Sequence, residues 1–186
     1  MKRIFDLFLS LLLIVIFLLP MVLIAILIRL ESSGPALYWS KRIGKRDKVF
    51  KMPKFRSMKV EAPSVATHLM EDPSLYISSF GRFLRQYSID ELPQLFSILN
   101  GDMSFVGPRP ALFNQDDLIQ LRAVNGVNNL IPGITGWAQI NGRDHLTLEQ
   151  KVNLDVEYLR KKSFMFDLKI MWKTIFKVII KDSVSH

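Results

Sequence analysis

Residues 7–28, LFLSLLLIVIFLLPMVLIAILI, contain no charged side chain. A helix of that length reaches across a hydrocarbon core of about 30 Å. A chain that opens this way must put the run in lipid or cover it with the rest of the fold. It does not read as a signal peptide. The apolar run is too long, and Arg29-Leu-Glu-Ser follows it in place of a small-residue cleavage site. Two features oppose a simple crossing. Pro20 lies near the middle, where it deletes one helical hydrogen bond and crowds the preceding turn. Both flanks are basic: Lys2 and Arg3 before, and Arg29, Lys41, Arg42, Lys45, Arg46, Lys48 and Lys51 after. Positive flanks favour the cytoplasmic side, here at both ends. A helix bent at Pro20 that enters and leaves on one face satisfies both constraints. A kinked spanning helix is the alternative, since spanning helices tolerate proline.

The remaining chain is long enough for one core: 186 residues in all, 49% of them hydrophobic. Lys and Arg exceed Asp and Glu by 25 − 17 = 8. That excess favours anionic partners such as lipid head groups, nucleotides or nucleic acid. No nucleic-acid motif is present, and the basic residues are spread over elements expected to face a membrane, which argues against nucleic acid. The absence of cysteine excludes a disulfide framework and Cys-ligated zinc. Three scattered histidines make a His-rich metal site improbable on composition.

Residues 35–59 carry aromatic and β-branched residues in partial alternation around a turn-like Gly44-Lys-Arg-Asp47. They read as a β-hairpin with a basic tip, Pro53 placing its second strand at an edge. The alternation sets Lys54 and Arg56 on one face and Phe55 on the other. Residues 60–75 read as a loop, and 76–87 as an amphipathic helix. That helix leads into Ser88-Ile-Asp90-Glu91-Leu-Pro93. Ser-x-x-Glu is a capping-box signature, with Ser88 as cap and Glu91 reaching back; Pro93 argues for a helix start slightly later. Either way Asp90 and Glu91 fall at a helix N-terminus, which stabilises anions by about 0.3–1 kcal/mol each. Both are expected to be ionised at neutral pH. Such a pair can be an ordinary helix start, can hold a divalent cation, or can supply a nucleophile.

Further on, Gly107-Pro-Arg-Pro110 reads as a rigid, irregular segment that fixes Arg109. Residues 111–124 read as a helix. Residues 131–143 are glycine-punctuated and include Trp137, Gln139 and Arg143. They either present amides and an aromatic face to a ligand or simply turn corners. Residues 147–162 form a charged helix. In the last segment Leu168, Met171, Trp172, Ile175, Phe176 and Ile179 recur at helical spacing beside a stripe of Lys169, Lys173, Lys177 and Lys181. That pattern suits a helix lying in an anionic membrane surface, or one packed on the core. The fold class expected is α+β, mainly helical, with an N-terminal membrane helix at 1–34, a small hairpin, and amphipathic helices around a catalytic core at 35–186.

These pieces, in their order, resemble the bacterial sugar transferases, specifically the small monotopic phosphoglycosyl transferases. The resemblance rests on the proline-broken apolar helix, Lys54-Phe-Arg-Ser-Met, Asp90-Glu-Leu-Pro-Gln-Leu, Asn100-Gly-Asp-Met-Ser-Phe-Val-Gly-Pro-Arg-Pro, Pro132-Gly-Ile-Thr-Gly-Trp-Ala-Gln-Ile-Asn-Gly-Arg and Asp167-Leu-Lys-Ile. It implies transfer of a sugar 1-phosphate from a UDP-sugar to undecaprenyl phosphate with release of UMP, and a need for Mg²⁺. It also implies a re-entrant helix at the cytoplasmic face of the bacterial inner membrane, in contact with lipids, and the minimal catalytic form of the family. On that basis Asp90 is the expected nucleophile and Glu91 the expected metal or orienting carboxylate, either acid being able to ligate Mg²⁺. Lys54, Arg85 and Arg109 are expected on phosphate, and Trp137, Gln139 and Arg143 on uridine and sugar. Where family members often have serine before the helix-breaking proline, this chain has Leu19, which offers the bend no hydrogen bond. A homodimer is compatible with the sequence but not specified by it. A non-catalytic membrane scaffold is the competing class; it requires neither adjacent carboxylates nor a Pro-Arg-Pro segment.

Overall fold

A computed structural model describes residues 1–62, 72, 75–142 and 145–179, with side chains to residue 177. The element order is α1 (Lys2–Glu31), β1 (Leu37–Ile43), β2 (Val49–Phe55), α2 (Ser79–Gln86), α3 (Gln94–Asn100), β3 (Ser104–Val106), α4 (Asp116–Val124), β4 (Gly133–Thr135), α5 (Trp137–Ile140), α6 (Leu148–Lys161) and α7 (Phe164–Ile179). The expected mainly helical α+β chain with a small hairpin is what forms. Most of the loop expected at 60–75 lies outside the described residues, as does Arg143.

The apolar segment is one helix of 30 residues, helical through Pro20. One stripe of it is buried: Asp6, Ser10, Ile14, Met21 and Ile28. Their spacings of four and seven are the repeat of a helix docked along its length. Ile14 joins a core with Met52, Leu95, Ile98, Met103, Phe105 and Ile170. Met21 and Ile28 join a second core with Phe55 and Leu84. The other face is bare, with Phe8, Leu11, Val15, Leu19, Leu23 and Leu30 exposed. Both ends are tied to the globular body by polar contacts. At the start, Lys2 donates to the Val106 carbonyl and pairs with Asp167. Arg3 donates to the carbonyls of Ile98 and Leu99. Asp6 accepts from Ser104 Oγ at 2.9 Å. At the end, Arg56 donates to the carbonyls of Ser32 and Ser33, and Glu31 accepts from Ser78 Oγ and the Phe80 amide.

β1 and β2 pair antiparallel, Leu37 opposite Phe55 and Ile43 opposite Val49. In a two-stranded sheet each strand is an edge, so Pro53 removes no ladder bond that a third strand would need. Lys54 and Arg56 serve different tasks from the shared side expected of them. Lys54 reaches the carboxylates, and Arg56 is buried against the C-terminal end of α1.

A second two-stranded sheet was not legible beforehand. β3 and β4 run parallel, Ser104 opposite Gly133 and Val106 opposite Thr135. Strands of three residues are too short to show a period. The glycines of the two punctuated segments meet here. A Cβ on Gly133 would lie 2.1 Å from the Gly107 nitrogen, and one on Gly136 the same distance from the Gly107 carbonyl oxygen. These glycines permit backbone-to-backbone approach, which favours the corner-turning reading of 131–143.

α6 begins with a complete capping box, Thr147 with Gln150. α7 buries Asp167 and Ile170 against the body while Trp172, Ile175 and Phe176 stay exposed beside Lys169 and Lys173. Its apolar side is therefore divided between the core and the outside.

Candidate active site

The carboxylate pair sits at a chain reversal. α2 is capped at its start by Ser78, whose Oγ accepts from the Gly81 amide. After α2 the backbone turns left-handed at Ser88, with φ of 55°. A 3₁₀ turn, Ile89–Glu91, follows, and Pro93 opens α3. The capping box expected at Ser88 and Glu91 does not form: Ser88 makes no side-chain capping bond. Its left-handed conformation takes it out of the extended geometry that an N-cap needs. The later start signalled by Pro93 is the one observed. Asp90 and Glu91 then precede the N-terminus of α3, with Asp90 pointing inward and 8% exposed.

Three of the expected cations converge on the pair. Lys54 Nζ lies 2.8 Å from Glu91 Oε1 and 3.9 Å from Asp90 Oδ2. Arg109 Nη2 lies 3.1 Å from the same Glu91 oxygen. Arg85 acts on Asp90 through its charge. Glu91 thus anchors two cations, whereas Lys54 stands beyond hydrogen-bond distance of Asp90. Burial pushes the Asp90 carboxyl above its ordinary range, and the charge of Glu91 adds to that; Lys54, Arg85 and Arg109 oppose it. The net direction is upward, opposite to what a helix start alone would give, because desolvation outweighs the dipole at this depth. A poorly solvated carboxyl group with a perturbed proton affinity beside fixed positive charge marks a candidate functional site.

Arg109 is presented by the segment between β3 and α4. Prolines at 108 and 110 remove two amides, so the segment cannot extend the ladder. Its carbonyls are taken up from three directions. The Gly133 amide donates to Pro108 at 2.9 Å, Arg122 Nη1 to Arg109 at 2.7 Å, and Arg42 Nη1 to Pro110 at 3.1 Å. Arg122 is itself held by Asp155, with Nη2 at 2.6 Å and Nε at 2.9 Å from one carboxylate oxygen. Burial and the nearby Arg109 charge lower the Arg42 guanidinium to about 10, which leaves it protonated at neutral pH. In the sequence Arg42 stands out only as a basic flank of the apolar run, and Arg122 and Asp155 are not site candidates. No short motif joins them; the pairing spans three elements.

Trp137 and Gln139 make their bonds away from the carboxylates. Trp137 Nε1 donates to Glu157 on α6 at 2.8 Å, its ring packs on Phe166, and Lys173 lies over it. Gln139 Nε2 donates to the Ile134 carbonyl. Both hold α5 against its neighbours.

The pair offers hard oxygen donors of the kind Mg²⁺ takes, and Mg²⁺ commonly uses one or two carboxylates together with substrate phosphate oxygens. Among the described residues no group of three or more His, Cys, Asp or Glu forms an all-protein cage. The donor set therefore fits a cation shared with a phosphorylated substrate.

Comparison with known proteins places this arrangement. A family model described as bacterial sugar transferase matches residues 1–181. The chain is 38% identical to an uncharacterized sugar transferase, EpsL, of Bacillus subtilis (strain 168), over all of this chain and 91% of that protein. It is 41% identical to a UDP-glucose:undecaprenyl-phosphate glucose-1-phosphate transferase of Escherichia coli (strain K12), over 95% of this chain but 40% of the longer protein. It is 34% identical to a UDP-N-acetylgalactosamine-undecaprenyl-phosphate N-acetylgalactosaminephosphotransferase of Aeromonas hydrophila, over 94% of this chain and 42% of that protein. The chain thus spans about two fifths of these two longer relatives. Because the family match includes the anchored apolar helix, the carboxylate pair and the pinned arginine together, the chain belongs to the bacterial sugar transferase family.

Proposed function

We propose that this chain transfers a sugar 1-phosphate from a UDP-sugar to undecaprenyl phosphate, releasing UMP, as the first membrane step of a bacterial glycoconjugate pathway. The observation that carries the reading is the buried Asp90 beside Glu91, under the charge of Lys54, Arg85 and Arg109. The relatives' names supply the substrate class.

An Asp90 carboxylate oxygen attacks the β-phosphorus of the UDP-sugar. The bond from that phosphorus to the bridging oxygen breaks, and UMP leaves with that oxygen. An oxygen of undecaprenyl phosphate then attacks the same phosphorus. The aspartyl–phosphorus bond breaks, giving an undecaprenyl diphosphate sugar and free Asp90. Lys54 keeps Asp90 ionised against its burial and faces the transferring phosphate. Arg109, aimed by its pinned backbone, and Arg85 neutralise the oxygens of the diphosphate. Glu91 orients Lys54 and Arg109. Asp90 and Glu91 would hold Mg²⁺, which when bound supplies charge neutralisation to the diphosphate.

The anchoring of α1 supports a one-sided membrane position. Both its ends bond to the same globular body. They cannot lie on opposite sides of a bilayer unless that body lies within it. Residues 1–34 then form the membrane element and 35–186 the catalytic domain at the cytoplasmic face of the inner membrane. The bare apolar faces of α1 and α7 contact lipid, and Pro20 relaxes α1 into a re-entrant course. The chain has no cysteine, so a single cysteine added ahead of residue 1 or placed at the exposed Ser33 can be labelled from either side of intact vesicles. Labelling of both from the cytoplasmic side only is expected; opposite sides would rule out the one-sided position.

The activity is tested by incubating the purified chain with a panel of UDP-sugars, Mg²⁺ and undecaprenyl phosphate and measuring UMP. Lipid-dependent UMP release with at least one donor is expected. No release with any donor would favour a non-catalytic scaffold.

A further inference from the structure

The Arg109 backbone is not held by its own loop but by a buried ion pair from two helices. Asp155, on α6, is 1% exposed. It takes two hydrogen bonds from Arg122 on α4, at 2.6 and 2.9 Å, and the remaining terminal nitrogen of that guanidinium donates to the Arg109 carbonyl at 2.7 Å. A planar guanidinium with three directed bonds fixes an oxygen in position more tightly than an ammonium can. Burial of Asp155 raises its proton affinity and the Arg122 charge opposes that, so the two charges depend on one another. With Gly133 on Pro108 and Arg42 on Pro110, three successive carbonyls are immobilised, and the Arg109 side chain carries the remaining freedom at the site.

We infer that Arg122, locked by Asp155, is a positioning residue for the transfer: it sets the Arg109 guanidinium against Glu91 and the donor phosphate without touching either. This rests on the reading of Asp90 and Glu91 as the reacting centre. An error of about 1 Å in such a group costs about 10²-fold in rate. Arg122→Lys keeps the charge but loses the fork. It is expected to lower kcat/KM for the UDP-sugar about 30- to 100-fold, with the KM for undecaprenyl phosphate little changed. Asp155→Asn is expected to act in the same direction, more weakly.

The deciding experiment is a double-mutant cycle with Arg109→Ala in the full chain. If Arg122 acts through Arg109, then Arg109→Ala/Arg122→Lys is expected to be no slower than Arg109→Ala alone, within about twofold. Effects that multiply would overturn the inference and leave Arg122 a general structural residue. A second readout is independent of turnover: the Nε–H resonance of Arg109 in selectively labelled protein. Its proton exchange is expected to speed up in Arg122→Lys; unchanged exchange would overturn the inference. If the parent chain turned over no UDP-sugar, the functional reading alone would fail, and the resonance would still decide the positioning role.

Discussion

Lys54→Gln removes an ammonium that faces both carboxylates. In the parent, Nζ lies 3.9 Å from Asp90 Oδ2 with both side chains mostly buried, 15% and 11% exposed. At an effective dielectric of about 20, two unit charges at that distance attract by about 4 kcal/mol. Arg109 and Arg85 remain, and water and side chains relax into the change, so about half of this, ~2 kcal/mol, is a reasonable net loss. That equals about a 30-fold fall in the ratio of ionised to protonated Asp90 at a fixed pH. The sign follows from the charges: losing a cation moves the Asp90 carboxyl further upward, in the direction burial already pushes it. The assay is UMP release against pH at saturating undecaprenyl phosphate. The acidic limb of kcat/KM is expected to move to higher pH in Lys54→Gln, with much of the lost rate recovered at alkaline pH. Arg→Gln changes on the protein surface should leave the limb in place. If the limb of Lys54→Gln coincides with that of the parent, Lys54 does not set the ionisation of Asp90, and its role is confined to the substrate.

Asp90→Asn removes a carboxylate whose folded-state proton affinity is raised. Such a group stabilises the fold most at acid pH and loses that contribution as pH rises through its folded value, so at neutral pH the variant is expected to melt no lower than the parent while releasing no UMP. A drop of several degrees in Tm would show that the Asp90 charge supports the fold. Glu91→Gln is expected to lose about 10²-fold or more in kcat, as for one preorganised electrostatic group, with a flatter Mg²⁺ dependence. Parental behaviour at every Mg²⁺ level would contradict a metal role. Ser88 is left-handed at φ of 55°. Ser88→Gly is therefore expected to keep activity and gain up to about 1 kcal/mol in stability, whereas Ser88→Val, β-branched, should lose about 1–3 kcal/mol. Chemical denaturation measures both, and equal stabilities would deny the strain.

Much of the architecture could be read from residue order. The hairpin followed from alternation around Gly44–Asp47, and α2 and α7 from helical spacing; α4 and α6 fall within segments read as helices, α4 starting at Asp116 where 111 was expected. The buried stripe of α1 was not readable, because an all-apolar helix hides which face docks. The polar contacts at its two ends join residues as far apart as Lys2 and Asp167. The Ser88 cap failed for a tertiary reason. A left-handed residue there turns Asp90 inward under Lys54, and local capping chemistry yields to that turn. The glycines at 133 and 136 left a ligand cradle and a corner turn both open; with Gly107 they carry two backbones past one another. Arg109 was legible through its prolines. What aims it was not, since Arg42, Arg122 and Asp155 come from β1, α4 and α6. Trp137 and Gln139 are motif residues whose described bonds are structural.

The central claim is that Asp90 carries the phospho-sugar. Intact mass measurement of the full chain, acid-quenched after exposure to its UDP-sugar and Mg²⁺ without undecaprenyl phosphate, tests it directly. The expected result is an added mass of one sugar phosphate, mapped to the peptide containing Asp90, absent in Asp90→Asn and discharged when undecaprenyl phosphate is supplied. Full turnover with no adduct at any quench time, or an adduct that persists in Asp90→Asn, would contradict the account.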